Sequence, residues 1–419
     1  MDDDKCLVPD IRIDQYEGHA TITRPGSDSI ALWLQDAASL RTIVMKYALQ
    51  VERARPLGLP VSEYAAQSFI SFAKHSAHRC FEEGIDDEYD VLQQAIGLIT
   101  AEMAKAVKLR NEPLCVEITD NSGEYLPWEW LGDLDRADDY IGEALSTLGF
   151  AAIVYRREVR QEARRNGEMA AGYLNAEPRL PVRFFCNPEL DGTRVEGRFF
   201  KHNDYVDLLG PLPEKSLDGQ LDLAEQLVDP RRARPDGPDQ VVHMSCHHEV
   251  KGNLKTASAF SLPQSESLLR FGKEDEPNLE ISLTDLRHDL ATAKRRSQVT
   301  EERPLIFFNA CRGNFYPFTT ESAVRVLLRN GNRAMISTAV KVPDNAAAEM
   351  GRSFYLRLLE GGCTAPEALL YAKWALLHSR ACPLGLLYSY YGIPGLRILP
   401  VRCVPGENPI VTIWNGDSL

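Results

Sequence analysis

The sequence predicts an α/β fold, with a mostly parallel sheet flanked by helices and a small, mainly helical N-terminal region. Three observations predict it. From residue 114 onward, strand-like and helix-like segments alternate along the chain. Several of the strand-like segments are continuously apolar, as strands are when both faces of a parallel sheet are covered. The first 85 residues are instead dominated by long helix-like segments.

The N-terminal elements follow from apolar spacing. Residues 11–24 alternate apolar and polar side chains around Gly18, which predicts a hairpin. Residues 29–51 and 62–84 predict two helices. A third helix is predicted over 87–109, where acidic residues at the start suit a helix N-terminus. We divide the chain into residues 1–85, a hairpin-plus-helices region of unknown role, and residues 86–419, a second domain.

The later elements supply the sheet and its helices. Strands are predicted at 114–120, 151–158, 180–190, 241–249, 304–311, 333–340 and 391–401. Helices are predicted at 204–229, 320–331, 344–362 and 365–380, and a hairpin leading into a helix at 267–293.

Composition excludes several classes of function. The formal net charge of −13 disfavours direct binding to nucleic acid or to an anionic membrane. No apolar run approaches the roughly 20 residues of a membrane helix, and the N-terminal residues lack an apolar signal core. The nine cysteines form no C-x-x-C pair, which argues against a disulfide framework and favours the cytoplasm. No phosphate-binding glycine motif occurs, and we expect no cofactor and no metal.

Two strands end in chemically reactive residues. His247 closes the strand 241–249, and Cys311 closes the strand 304–311. The carboxyl ends of parallel strands carry functional loops, so the two side chains can lie side by side. An imidazole can take the thiol proton and return it to a leaving amine. A cysteine in this position is also a common core residue.

A metal site is an alternative for the same segment, which brings His243, Cys246, His247 and His248 together. Side chains alternate between the faces of a strand. His243 and His247 therefore share one face, and Cys246 and His248 share the other. Three ligands from this strand would converge poorly, so we predict no metal.

Five segments, in order, resemble the CHAT domain, a caspase-like cysteine peptidase of clan CD related to separase. "VVHMSCHHE" resembles the family's "hxxCHG" block, and "PLIFFNACRGN" resembles "LVFLSAC". "YLPWEWLGDL" resembles "lPWElL". The segment from "GNRAMISTAVKVPDNAAAEM" to "EALLYAKWAL" and the closing "YGIPGLRIL" resemble the C-terminal blocks. The resemblance implies a caspase-haemoglobinase fold and peptide-bond hydrolysis.

The resemblance also implies roles for single residues. Cys311 would be the nucleophile and His247 the general base and acid. The backbone N–H groups of His248 and Cys311 would line the oxyanion hole, although His248 stands where the family has glycine. Asp344 would line the substrate pocket and favour Arg or Lys, unless it is a helix N-cap. Glu129, in the "PWEWL" block, would be structural, tying down a loop.

The function expected from this sequence is a cytoplasmic cysteine endopeptidase in a regulated bacterial pathway of antiviral defence or cell death. Its partners would be a protein substrate and an activating or inhibitory protein. The alternative is a catalytically idle scaffold or binding module with the same fold, which the histidine at 248 keeps open.

Overall fold

A computed structural model describes residues 8–85, 89–106, 113–122, 124–135, 137–158, 172–212, 224, 227, 238–251, 266–271, 279–296, 303–310, 323–360 and 362–399. The strands in these ranges are β1 (Ile11–Tyr16), β2 (His19–Thr23), β3 (Ile30–Trp33), β4 (Leu114–Asp120), β5 (Ala152–Glu158), β6 (Tyr173–Asn175), β7 (Leu180–Cys186), β8 (Val206–Leu212), β9 (Val241–Lys251), β10 (Glu266–Phe271), β11 (Leu279–Ser282), β12 (Leu305–Ala310), β13 (Ala334–Thr338), β14 (Tyr388–Gly392) and β15 (Arg397–Leu399).

The helices in the same ranges are α1 (Ala37–Ala54), α2 (Glu63–Gly84), α3 (Tyr89–Lys105), α4 (Tyr140–Leu145), α5 (Leu148–Ala151), α6 (Asp191–His202), α7 (Leu283–Arg296), α8 (Ala323–Arg329), α9 (Asp344–Glu360) and α10 (Ala365–Arg380). Trp128–Trp130 and Pro383–Leu387 form short 3₁₀ turns. Among the described residues, no helix combines the length and the apolar character that a membrane span requires. The predicted α/β class, with mostly parallel strands flanked by helices, is confirmed.

The chain divides into two compact units. The first contains the described residues up to 158 together with residues 353–397. Its strands follow the order β14-β5-β4-β1-β2-β3. The pairs from β14 to β1 are parallel, and β2 and β3 continue as an antiparallel meander. The predicted hairpin is confirmed, with Gly18 at φ 79° in its turn. The domain boundary at residue 85 stays a prediction, although β1 pairs directly with β4.

A buried ion pair holds the "PWEWL" segment in the first unit. Arg156 of β5 donates to Glu129 over 2.8 and 2.5 Å, and also to the carbonyl of Leu126 over 2.6 Å. Both charged side chains are 1% exposed. The rings of Tyr125 and Tyr391 lie 4.6 and 5.7 Å from the guanidinium carbon. The structural interpretation of Glu129 is confirmed, because its carboxylate ties this loop to the sheet.

The second unit contains the described residues from 172 to 352, with residues 398 and 399. β13, β12 and β9 are adjacent and parallel. On the side away from β12, β9 has two partners: its first half pairs in parallel with β7, and its second half pairs antiparallel with β10. β8 extends the sheet beyond β7, and β11 extends it beyond β10. β9 is thus the central strand of this unit.

The structure corrects several of the predicted elements. Ile30–Trp33, at the start of the helix predicted over 29–51, form β3 and pair with β2, and α1 begins only after the cap Asp36. Residues 206–212, predicted as helical, form β8, because their apolar side chains complete a ladder with β7. α6 was not predicted at all. Its two glycines weaken the helical pattern, and one of them, Gly192, lies close against the backbone of Asp344.

Candidate active site

The carboxyl end of β12 and the neighbouring middle part of β9, which continues to Lys251, form the frame of the site. The two strands pair in parallel from Leu305 opposite Val241 to Ala310 opposite Cys246. All six residues of β12 are buried. His247 follows Cys246 in β9 and is half-buried. Cys311 itself, the predicted nucleophile, lies outside the described residues.

A small, partly open cavity lies at this edge of the sheet. Its lining residues are Leu190, Cys246, His247, Asn309, Ala310, Thr338, Val342, Asp344 and Ala347. The structure therefore brings together two of the sequence-predicted residues, His247 and Asp344. The lining comes from the ends of β9, β12 and β13 and from the first turns of α9, where parallel-sheet proteins place their ligand sites.

Asp344 is the first residue of α9 and is half-buried. The helix N–H of Ala347 donates to the carbonyl of Pro343, so Pro343 occupies the cap position and the N-cap interpretation of Asp344 is wrong. Burial raises the pKa of the Asp344 carboxyl above its ordinary value, while the positive charge of His247 and Lys341 opposes that rise. The carboxylate is thus close enough to interact with the imidazole at 247.

His248 lies within β9, paired with Leu269 of β10. Its side chain is 5% exposed and meets the ring of Phe308 edge-on, with centroids 6.3 Å apart. This is the face opposite to His247, as strand alternation predicted. The histidine side chain is accommodated in the sheet and does not line the cavity.

A buried carboxylate, which the sequence analysis did not identify, lies beside the cavity. Glu196 of α6 is 3% exposed. It accepts hydrogen bonds from Asn309 over 2.6 Å and from Ser245 over 2.5 Å, and its other contact is His243 Nε2 at 3.1 Å. The sequence carries little signal for it, because the helical spacing of the buried positions 192, 193, 196 and 200 is seen only in the structure.

His243 lies in the core of the second unit. It is fully buried, and its Nε2 contacts both Ser245 and Glu196. Its ring stacks on Phe307 with centroids 5.1 Å apart, and Phe184 and Phe200 lie at 5.3 and 5.2 Å. His243 therefore packs behind the residues that line the cavity and does not line the cavity itself.

The cysteines in the described part of the chain are all buried. They are Cys80, Cys115, Cys186, Cys246, Cys363 and Cys382. Burial raises the pKa of the Cys186 and Cys363 thiols to about 12 and that of Cys382 to about 11. Within the described part of the chain, no group of three or more His, Cys, Asp or Glu side chains could hold a metal ion.

Comparison with known proteins gives one family and several distant structural neighbours. The family model described as "CHAT domain" matches residues 91–401. The complex of the pro- and mature domains of Porphyromonas gingivalis RgpB is 9% identical, with a TM-score of 0.43, covering 74% of this chain and 70% of that one. The Arg-specific cysteine proteinase gingipain R is 12% identical, with a TM-score of 0.43 and the same coverage.

The Saccharomyces cerevisiae separase–securin complex is 10% identical, with a TM-score of 0.46. The match covers 94% of this chain but only 30% of that one. The comparison with curated proteins gave no match.

Proposed function

The chain belongs to the CHAT-domain family, and from that premise we propose that it is a cysteine endopeptidase whose nucleophile is Cys311 and whose general base and acid is His247. The observation that carries the proposal is the register of β12 on β9. Ala310 lies opposite Cys246, and these are the residues immediately before Cys311 and His247. The last described rung of this ladder therefore directly precedes, in the sequence, both residues of the proposed dyad.

The proposed reaction is acyl transfer through a thioester. The Cys311 thiol gives its proton to His247, and the sulfur attacks the peptide carbonyl carbon. The peptide C–N bond then breaks, and His247 returns the proton to the leaving amine. Water hydrolyses the thioester with His247 as the base, which releases the acid product and restores the thiol. We assign the oxyanion donors to the backbone N–H groups of His248 and Cys311.

Asp344 is the residue we propose to select the side chain before the cleaved bond. It lines the same cavity as His247, and its carboxylate is half-buried. A carboxylate partly removed from water attracts a guanidinium or ammonium group more strongly than an exposed one does. We therefore propose cleavage after Arg or Lys.

The wider role we propose is regulated proteolysis in the cytoplasm, in a bacterial defence or cell-death pathway, with a protein substrate and a controlling partner protein. The experiment is a screen of neighbouring gene products for cleavage. Cleavage that disappears with Cys311→Ala, at a site following Arg or Lys, is the expected result. Cleavage that persists in this variant would refute the assignment.

A second test needs no substrate. The six described cysteines are buried. Cys6 and Cys403 lie outside the described residues, so they are replaced to keep their labelling from being counted with that of Cys311. In a Cys6→Ser/Cys403→Ser background, iodoacetamide at neutral pH should label Cys311 quickly. Labelling should slow at least about tenfold with His247→Ala, because the imidazole holds the thiol as thiolate. The exposed His202, at the end of α6, supplies the control His202→Ala, which should leave the rate unchanged.

The second candidate is an idle scaffold, and one observation favours it: a histidine occupies position 248, where the family has glycine. Slow labelling of Cys311 that His247→Ala does not change would select this candidate. Rapid labelling that depends on His247 would exclude it.

A further inference from the structure

Glu196 joins the two strand ends on which the proposed chemistry depends. Ser245, one of its donors, is two residues before His247 and on the same face of β9. Asn309, the other donor, is two residues before Cys311 and lines the cavity. Asn309 and Ser245 are also direct partners in the β12–β9 ladder. One carboxylate thus bridges both strands at the last rung but one of the described ladder.

Burying a carboxylate is costly unless its oxygens are hydrogen-bonded. Glu196 satisfies this condition with Asn309 and His243 at one oxygen and Ser245 at the other. These contacts join α6, which carries Glu196, to β9 and β12, so moving any one of the three elements breaks part of the hydrogen-bond network. Gly351 of α9 also faces this cluster, since a Cβ there would lie 3.4 Å from both Glu196 Oε1 and the His243 ring. The cluster is therefore enclosed on the helix side as well.

We propose that Glu196 is a positioning residue: it fixes the spacing and twist of the β9 and β12 ends so that the imidazole of His247 and the thiol of Cys311 meet. This inference rests on the proposed function. Glu196 touches neither reacting atom, and it acts through Ser245 and Asn309. Because proton transfer requires hydrogen-bond distance, a small displacement of either strand end reduces the thiolate fraction at neutral pH. Misplacement of about 1 Å can reduce a rate about 100-fold.

The second unit offers a matched control. Asp239 and Arg183 form another buried ion pair, in which each side chain is 1% exposed. Asp239 precedes β9, and neither residue lines the cavity. Glu196→Gln and Asp239→Asn make the same chemical change, from a buried carboxylate to an amide. Both should lower the melting temperature, but only the first should change the chemistry at Cys311.

The experiment measures the rate of Cys311 labelling by iodoacetamide against pH, in the Cys6→Ser/Cys403→Ser background, under conditions where melting curves show each variant folded. We expect Glu196→Gln to shift the midpoint of this profile upward, toward the value of about 8.5 for an isolated thiol. The rate at neutral pH should fall about tenfold. Asp239→Asn should leave the midpoint unchanged. The double variant Glu196→Gln/Asn309→Asp exchanges donor and acceptor, and should recover part of the shift.

If Glu196→Gln does not fold, Ser245→Ala takes its place, since it removes one donor and should give a smaller upward shift. The inference is overturned if the folded variants keep the wild-type midpoint, or if Asp239→Asn shifts it equally. If the wild-type protein itself shows the profile of an isolated thiol, the proposed function fails and this inference fails with it. If the wild-type midpoint is lowered but Glu196→Gln does not change it, the positioning role of Glu196 fails while the proposed function stands. With a peptide substrate, Glu196→Gln should lower kcat and leave KM nearly unchanged.

Discussion

Replacing Glu129 with glutamine tests the buried ion pair of the first unit. The substitution keeps the shape of the side chain but removes the charge that faces Arg156. The guanidinium is 1% exposed, and two of its hydrogen bonds go to Glu129. Burial alone would raise the pKa of Glu129, yet the charge of Arg156 outweighs this effect and the pKa is lowered. The carboxylate is therefore ionised at neutral pH, and its loss leaves a buried positive charge.

The magnitude follows from this geometry. Removing one partner of a buried ion pair costs about 3–5 kcal/mol, against a total free energy of unfolding of about 5–15 kcal/mol. The third hydrogen bond, to Leu126, and the two tyrosine rings remain, so the lower half of that range is expected. The m-value grows with protein size, so a urea m-value of about 2–3 kcal/mol/M is expected, and the unfolding midpoint should fall by about 1–2 M.

Tryptophan fluorescence is the natural assay, because Trp128 and Trp130 flank Glu129 and are each 1% exposed. Glu82→Gln is the control, since the Arg79–Glu82 pair is on the surface and contributes less than about 1 kcal/mol. The double variant Glu129→Met/Arg156→Met should recover most of the loss, because neither charge of the pair is left buried without the other. A loss below about 1 kcal/mol for Glu129→Gln, or a double variant as unstable as the single one, would refute this reasoning.

Three further predictions concern single positions. Asp344→Asn should lower kcat/KM for cleavage after Arg or Lys about 100-fold, measured on matched peptides. As the pH falls, the wild-type preference for Arg or Lys should be lost at a higher pH than with an ordinary aspartate, because burial raises the pKa of Asp344. Because burial raises the pKa of Asp344, the ionised carboxylate destabilises the folded state relative to the unfolded one. If Asp344→Asn melted below the wild type at neutral pH, this would contradict the proposed role of Asp344. Burial lowers the pKa of Lys373 to about 8 from 10.5, so the unfolded state binds more protons between these values. Unfolding free energy should therefore rise with pH in this window in the wild type, and rise less in Lys373→Met, as urea titrations can show. Gly192→Ala should destabilise the protein and disturb Asp344, because the new Cβ would lie 2.4 Å from the Asp344 carbonyl oxygen, whereas Gly197→Ala, at 3.5 Å from Phe184, should be tolerated in melting experiments.

The part of the site on β9 and β12 could be predicted from the sequence. A mostly apolar run such as Leu305–Ala310 has few alternatives to a buried strand. The rule that parallel strands carry their sites at the carboxyl ends directed attention to His247, which lines the cavity, although β9 continues past it to Lys251.

The α6 region could not be predicted in the same way. A helix containing Gly192 and Gly197 has low intrinsic propensity, and the reason for Gly192 becomes visible only when the backbone of Asp344 is seen against it. Glu196 was missed as a consequence, because a glutamate is expected to face water unless its helix is known. The prediction for β8 was wrong for a related reason: a short apolar segment fits a helix or a strand, and only the pairing with β7 decides between them.

The three phenylalanine rings around His243 make this imidazole a spectroscopic reporter. A proton held over a stacked aromatic ring resonates upfield, so the stacking on Phe307 should shift the carbon-bound protons of His243 in an NMR spectrum, and a His243→Gln variant would assign them. Because His243 contacts Glu196 and Ser245, its signals would register a rearrangement at the carboxylate without any label being introduced. The interior of this unit thus contains its own probe of the strand ends above it.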